Sequence, residues 1–166
     1  MKKFFLSHKQ AHLFAFFAAY FLVALAVIIQ KKFNLDPCPL CITQRIIFMV
    51  LGLFFLINAF IKPTHLIRRL SFAVLSTTSI IGMVFSFKHI LIQSKAIALP
   101  NECGVDLNYM FENFPFSKAL NLLFKGTGDC SHIDWTLLSL TIPQWALMGF
   151  ISFFVYTILL FRMNVK

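Results

Sequence analysis

The side chains in this sequence best suited to covalent chemistry are its four cysteines, Cys38, Cys41, Cys103 and Cys130. The first two form a C-x-x-C in the run Asp36-Pro37-Cys38-Pro39-Leu40-Cys41. A bond across two intervening residues closes a small, tight ring, a spacing used for redox exchange more than for stapling. Pro39 stiffens that ring. Cys41 then opens an apolar run that reads as a helix, and exposed N–H groups and the macrodipole at a helix start favour a thiolate. Arg45 follows at i+4 on the same helix face, and its cation would stabilise that thiolate further. The alternative for Arg45 is an interfacial side chain snorkelling to headgroups. Charge beside hydrocarbon is costly, which weights the functional reading.

Cys103 and Cys130 stand 27 positions apart. A bond between them would close a large loop and constrain the unfolded chain by roughly 3–4 kcal/mol. Taken alone, that is a structural staple. With a C-x-x-C on the same side of the molecule a redox pair becomes the competing reading, because two neighbouring disulfides pass electrons by exchange. Four cysteines also raise a zinc site. Zinc sites usually join two close-spaced pairs, and here the second pair is far apart, so no metal is expected.

The elements that must position these residues are apolar. Hydrophobic residues make up 59% of the 166-residue chain and charged residues 13%, with 22 Phe. A soluble domain has about 25% charged residues, so lipid is part of the solvent here. The net charge of +9 comes from bases scattered singly and in pairs, a pattern that argues against nucleic-acid binding. Four runs are long enough to cross a bilayer as helices: about 11–30, 42–61, 70–87 and 144–161. Pro143 sits where a first-turn proline is tolerated. The first run could also be read as a signal peptide, but its apolar stretch exceeds a signal core, and a retained span is expected. The fold class is therefore an all-α, four-span membrane protein forming one domain over 1–166.

Four spans put both termini on one side. That side holds eight Lys/Arg and no acid, against seven on the other, three of which lie in a span or deep in a long loop. The positive-inside rule then places both termini in the cytoplasm, although Lys31 and Lys32 run against it. Two loops, about 31–41 and 88–142, lie outside, and all four cysteines fall there, where disulfides persist. Within the second loop, 116–125 has an apolar and a polar side at helical period. Too short to span, it suits an amphipathic helix in the membrane interface or one packed on the protein's own core. His12, His65 and His132 read as solvated or interfacial.

The ordered set Pro37-Cys38-Pro39-Leu40-Cys41-Ile42 with Arg45, then His89, Gln93, Cys103, Gly128-Asp129-Cys130, Trp135 and Pro143-Gln144-Trp145 resembles the bacterial disulfide bond formation protein B family, DsbB. The resemblance runs from the first span to the last. It implies a four-helix bundle in the inner membrane with a bound quinone, ubiquinone or menaquinone, that reoxidises a DsbA-like periplasmic thiol oxidase. It also implies disulfides Cys38–Cys41 and Cys103–Cys130. Cys103 would form the mixed disulfide with the partner, and Cys130, once released, would exchange with Cys38. Cys41 would face the quinone with Arg45 beside it. His89 and Gln93 would lie near the quinone or its access route; on their residues alone they read equally as polar groups at a wet interface. Gln44 departs from the pattern, since a family member carries Glu there. That loss leaves Arg45 without a neighbouring acid and more available to a thiolate or quinone. Two other readings are a small membrane subunit with stabilising disulfides, and a relative running quinone or epoxide reduction. In the latter proteins the C-x-x-C comes late in the chain, not after the first span.

Overall fold

Four long helices, α1 (His8–Lys32), α2 (Pro39–Phe60), α3 (His65–Gln93) and α4 (Ile142–Met163), account for most of the structure. Each is long and apolar enough to cross a membrane. The computed structural model describes residues 8–35, 38–62, 64–95, 128–131, 133 and 135–163. Cys103 and the expected amphipathic helix at 116–125 lie outside the described residues. Between α3 and α4 come a 3-10 turn (Gly128–Ser131) and a two-stranded hairpin, β1 (Thr136–Leu137) and β2 (Leu140–Thr141).

All four helices start before the expected spans, and α3 also continues past residue 87 to Gln93. His89 and Gln93 therefore belong to its last turns and do not follow it. A polar residue is tolerated there because it is turned inward. Leu75, Ser79, Gly82, Ser86 and His89 form one buried stripe at helical period. On α2 the buried stripe is Leu40, Gln44, Phe48, Leu51, Phe55 and Ala59. Phe14, Phe21, Phe60 and Val84 stay well exposed on outer faces, as expected of side chains that face lipid.

The helices pack in chain order, α1 on α2, α2 on α3 and α3 on α4. Small residues set the close approaches. Ala11, Ala15 and Ala19 are the buried face of α1 with His12. Gly82 lets α3 meet the ring of Phe150 on α4: a Cβ at that position would lie 2.4 Å from two ring carbons. Phe150 in turn stacks on Phe48 of α2, centroids 3.9 Å apart and planes 10° from parallel. At the far end of the bundle from the cysteines, Ser71 donates to Asn58 Oδ1 and joins α3 to α2. Tyr156 donates to the Ala11 carbonyl at 2.9 Å and joins α4 to α1. His12 is buried against Phe55, which corrects the expectation of a solvated or interfacial ring: it shares the alanine face of α1.

Candidate functional site

The end of α1, the start of α2, the end of α3 and the start of α4 gather around the cysteines. Cys38 is the N-cap of α2, with extended backbone (φ −63°, ψ 156°), and Pro39 takes the first helical position. That proline is pre-shaped for a helix start and lacks only an N–H that would be unpaired anyway. Cys41 consequently lies in the first turn of α2, where free N–H groups point outward from the helix end. Its Sγ is 3.3 Å from Cys38 Sγ.

The inner stripes of α2 and α3 bring two further side chains to this point. Gln44 Nε2 lies 3.3 Å from His89 Nδ1, and His89 Nε2 lies 3.6 Å from Cys38 Sγ. Both are almost fully buried, at 3% and 1% exposure. The 3-10 turn rests on α3 and delivers Cys130, which is completely buried in a small core with Leu40 and Ile92, with Cys38 and Phe85 against it. Cys38 also hydrogen-bonds Cys130. Three of the four cysteines thus converge, all as thiols in this structure.

The Cys38 thiol is held above its ordinary range. A hydrogen bond from Cys130 pulls it down, but the hydrogen bond to Cys41, burial and the charge of the Cys41 sulfur together push it up further. The ligand atoms of Cys38, Cys41 and His89 also lie within 4.8 Å of one another, a separation that suits a soft metal ion. Two sulfurs joined as a disulfide would no longer serve as thiolate ligands, so the redox and metal readings compete for the same atoms.

On the other side of Cys41 lies a mostly apolar cavity of about 280 Å³. Cys41, Gln44, Arg45 and Phe48 of α2 line it, with Ile29 of α1, Trp145 of α4, and Trp135 and Leu137 from the hairpin region. Arg45 donates to Gln30 Oε1 of α1. Neither His89 nor Gln93 is among the lining residues; His89 faces the sulfurs instead. Leu22 and Trp145 border both this cavity and a more open groove of about 440 Å³ between α1 and α4.

The start of α4 explains its sequence. Gln144 Oε1 accepts from the Thr141 N–H at 2.8 Å, and Trp145 Nε1 donates to the Leu137 carbonyl at 3.2 Å. Those two bonds tie the hairpin to the helix and hold Trp135 and Leu137 at the cavity. The hairpin turn has Leu138 and Ser139 at φ 52° and 64°, the double left-handed geometry of a type I′ turn.

A family model described as "Disulfide bond formation protein DsbB" matches residues 8–160. The chain belongs to the DsbB family. Among curated relatives named "Disulfide bond formation protein B", that of Methylobacillus flagellatus is 43% identical over 152 residues, covering 92% of each chain. That of Methylococcus capsulatus is 39% identical over 147 residues, covering 88% of each, and that of Nitrosococcus oceani 36% over 140, covering 82% of this chain and 83% of its own. Membership in the DsbB family gives the chain a role in disulfide bond formation, as a multi-pass membrane oxidoreductase.

Sequence reasoning named Cys38, Cys41, Cys130, Arg45 and His89, and the structure brings the first three and His89 within one cluster with Arg45 beside it. The sequence presents Gln44 only as a lost acid near Arg45; its partner is His89. Gln30 carries no signal in the sequence beyond its place two residues before the end of α1.

Proposed function

We propose that this protein is a thiol:quinone oxidoreductase of the bacterial inner membrane, taking two electrons from a DsbA-like periplasmic thiol oxidase and passing them to the membrane quinone pool. The observation that carries this reading is the position of Cys41, with the cluster of Cys38, His89 and Cys130 on one side and an apolar cavity on the other.

In the proposed sequence a thiolate of the partner attacks a Cys103–Cys130 disulfide at Cys103, and Cys130 leaves with the electron pair. Cys130 then attacks Cys38, the Cys38–Cys41 bond breaks, and Cys41 leaves as a thiolate at the cavity wall. The guanidinium of Arg45 supports that charge electrostatically and is itself held toward α1 by Gln30. Trp135 and Trp145 offer flat faces for a planar ring and exclude water. The residues fit a quinone: an apolar slot, a cation at its edge, and a groove between α1 and α4 for a long apolar tail. When bound, a quinone, either ubiquinone or menaquinone, supplies an acceptor for two electrons and two protons. The partner's second thiolate then attacks its own sulfur in the mixed disulfide and frees Cys103. Cys103 attacks Cys130 and frees Cys38 as a thiolate, and the Cys38–Cys41 bond re-forms as two electrons and two protons pass to the quinone; overall, two partner thiols become a disulfide and the quinone becomes a quinol. This reading puts the cysteine end in the periplasm and the end bearing Lys62, Arg68, Arg69 and Arg162 in the cytoplasm.

The test is quinone-dependent oxidation of a reduced DsbA-like protein by the purified chain in lipid nanodiscs. Turnover that requires quinone and vanishes in Cys41→Ser is expected. Turnover that persists in Cys41→Ser, or that ignores quinone depletion, would falsify the proposal.

A further inference from the structure

We infer that Gln44 is a positioning residue that fixes the ring of His89 as a hydrogen-bond donor to Cys38, so that Cys38 is supported as a thiolate with no general base beside it. The inference deepens the exchange role proposed for Cys38 and rests on that reading, but its observables need neither quinone nor a partner protein.

Gln44 Nε2 is the atom that faces His89 Nδ1, at 3.3 Å. An amide NH₂ only donates, so Nδ1 accepts. A neutral imidazole has one ring proton, which then sits on Nε2. Nε2 lies 3.6 Å from Cys38 Sγ, within reach of an N–H···S hydrogen bond. The ring also donates to the Cys130 backbone carbonyl, so with Nδ1 accepting from Gln44 the one Nε2–H is shared between that carbonyl and Cys38 Sγ. Burial leaves little room for the amide or the ring to turn over, with Gln44 3% and His89 1% exposed.

Because Nε2 already holds its proton, the ring cannot accept the thiol proton of Cys38. It lends its N–H to the sulfur when a disulfide at Cys38 breaks and the electron pair stays on Cys38 Sγ; the proton remains on the ring. Among the described residues, the titratable groups around Cys38 are Cys41 and Arg45 from α2, His89 from α3 and Cys130 from the 3-10 turn. Of these, only the imidazole has a second nitrogen through which a neighbour sets its proton, and Gln44 holds that nitrogen.

A carboxylate at this position reverses the logic. In Gln44→Glu the side chain only accepts, so the ring must present Nδ1–H to it. Nε2 then faces Cys38 as a bare acceptor or, doubly protonated, as part of a cation. As a bare acceptor Nε2 takes the Cys38 proton, and as a cation the ring stabilises the charge on the sulfur, so in both cases the thiolate forms at lower pH.

The experiment uses the full-length, fully reduced, quinone-free protein in detergent. Pulse alkylation with iodoacetamide across pH, read at Cys38 by mass spectrometry, gives the midpoint of thiolate formation. Gln44→Glu is expected to lower that midpoint by about one pH unit or more, about tenfold more thiolate at a pH below both midpoints. In Gln44→Glu/His89→Gln the shift should vanish, since no ring remains to take the proton. An unmoved midpoint in the single variant, or a shift that survives in the double variant, overturns the inference. Should Gln44→Glu not fold, ¹⁵N spectra of the unsubstituted protein labelled at its five histidines give the tautomer directly, with His89 identified by the signal lost in His89→Gln. Protonated Nε2 with bare Nδ1 is expected; the opposite tautomer overturns it. Cys38 behaving as described in a protein that turns over no thiol with quinone upholds the inference and rejects the proposed function.

Discussion

Adding one methyl group at Gly82 should destabilise the bundle through a chain of aromatic contacts that ends at the cavity beside Cys41. In Gly82→Ala the new Cβ would lie 2.4, 2.4 and 2.6 Å from three ring carbons of Phe150, where ordinary contact begins at 3.4 Å. The ring must therefore retreat by about 1 Å. It has nowhere free to go: Phe150 is fully buried and stacked on Phe48 at 3.9 Å, and Phe48 lines the cavity. Overpacking of this kind costs about 1–3 kcal/mol, or roughly 5- to 150-fold in the unfolding constant. Reversible unfolding in mixed micelles, followed by tryptophan fluorescence, measures it. Gly149→Ala, whose Cβ meets Phe48 Cζ at 3.0 Å, should cost less. Gly82→Ala/Phe150→Leu should recover much of the loss, because the smaller side chain vacates the contested space. An unchanged midpoint in Gly82→Ala, or a double variant no better than the single one, would refute this account of the α3–α4 contact.

Cys38 makes stability of the reduced protein depend on alkaline pH. Its folded thiol is held above the ordinary value of 9.0, so above about pH 9 the unfolded chain has released a proton that the folded chain still binds, and stability falls as pH rises. Unfolding midpoints from neutral pH upward should show this decline in the reduced protein and less of it in Cys38→Ala. At the roughly 6 Å that separates i,i+4 side chains on a helix and an effective dielectric of about 20, a cation–thiolate pair is worth about 2–3 kcal/mol. In the proposed reaction, Arg45→Met should accordingly slow quinone-dependent turnover roughly 30- to 100-fold, with a smaller loss in Gln30→Leu, where the cation remains but is untethered; steady-state kinetics in nanodiscs decide. Tyr156→Phe removes the bond to the Ala11 carbonyl and should cost about 1 kcal/mol of stability. Ser139→Gly relieves a left-handed φ of 64° and should stabilise the hairpin by about 0.5–1 kcal/mol, visible as slower amide exchange at Leu137 and Leu140, the pair that flanks the turn.

The four helices were legible because lipid imposes a simple rule: about twenty apolar residues and no unpaired backbone. Their ends were less so. The expected third span stopped at residue 87, since Lys88, His89 and Gln93 look like the polar edge of a membrane segment. What continues the helix is the stripe Leu75, Ser79, Gly82, Ser86, His89, whose period places His89 inward regardless of its polarity. The same test applied to α2 puts Gln44 on the stripe with Leu40 and Phe48 and turns Arg45 away toward α1. Its neighbour in sequence, Arg45, says nothing of the partner of Gln44; helical period turns it toward His89. The approach of Cys130 to Cys38 follows from where a long connection returns to the bundle, which spacing along the chain does not encode. The hairpin gave little signal, because Leu138-Ser139 lacks the Asn-Gly or Asp-Gly pair that usually marks such a turn.

The seam between α1 and α4 has a kinetic consequence. These helices touch through few groups, Tyr156 and Ala11 among them, and the groove they flank adjoins the slot beside Cys41 through Leu22 and Trp145. An electron acceptor dissolved in the bilayer would arrive sideways, by two-dimensional diffusion, without crossing water. Its effective concentration is then a mole fraction per lipid, so diluting the membrane with inert lipid should slow the enzyme while diluting the vesicles in buffer should not.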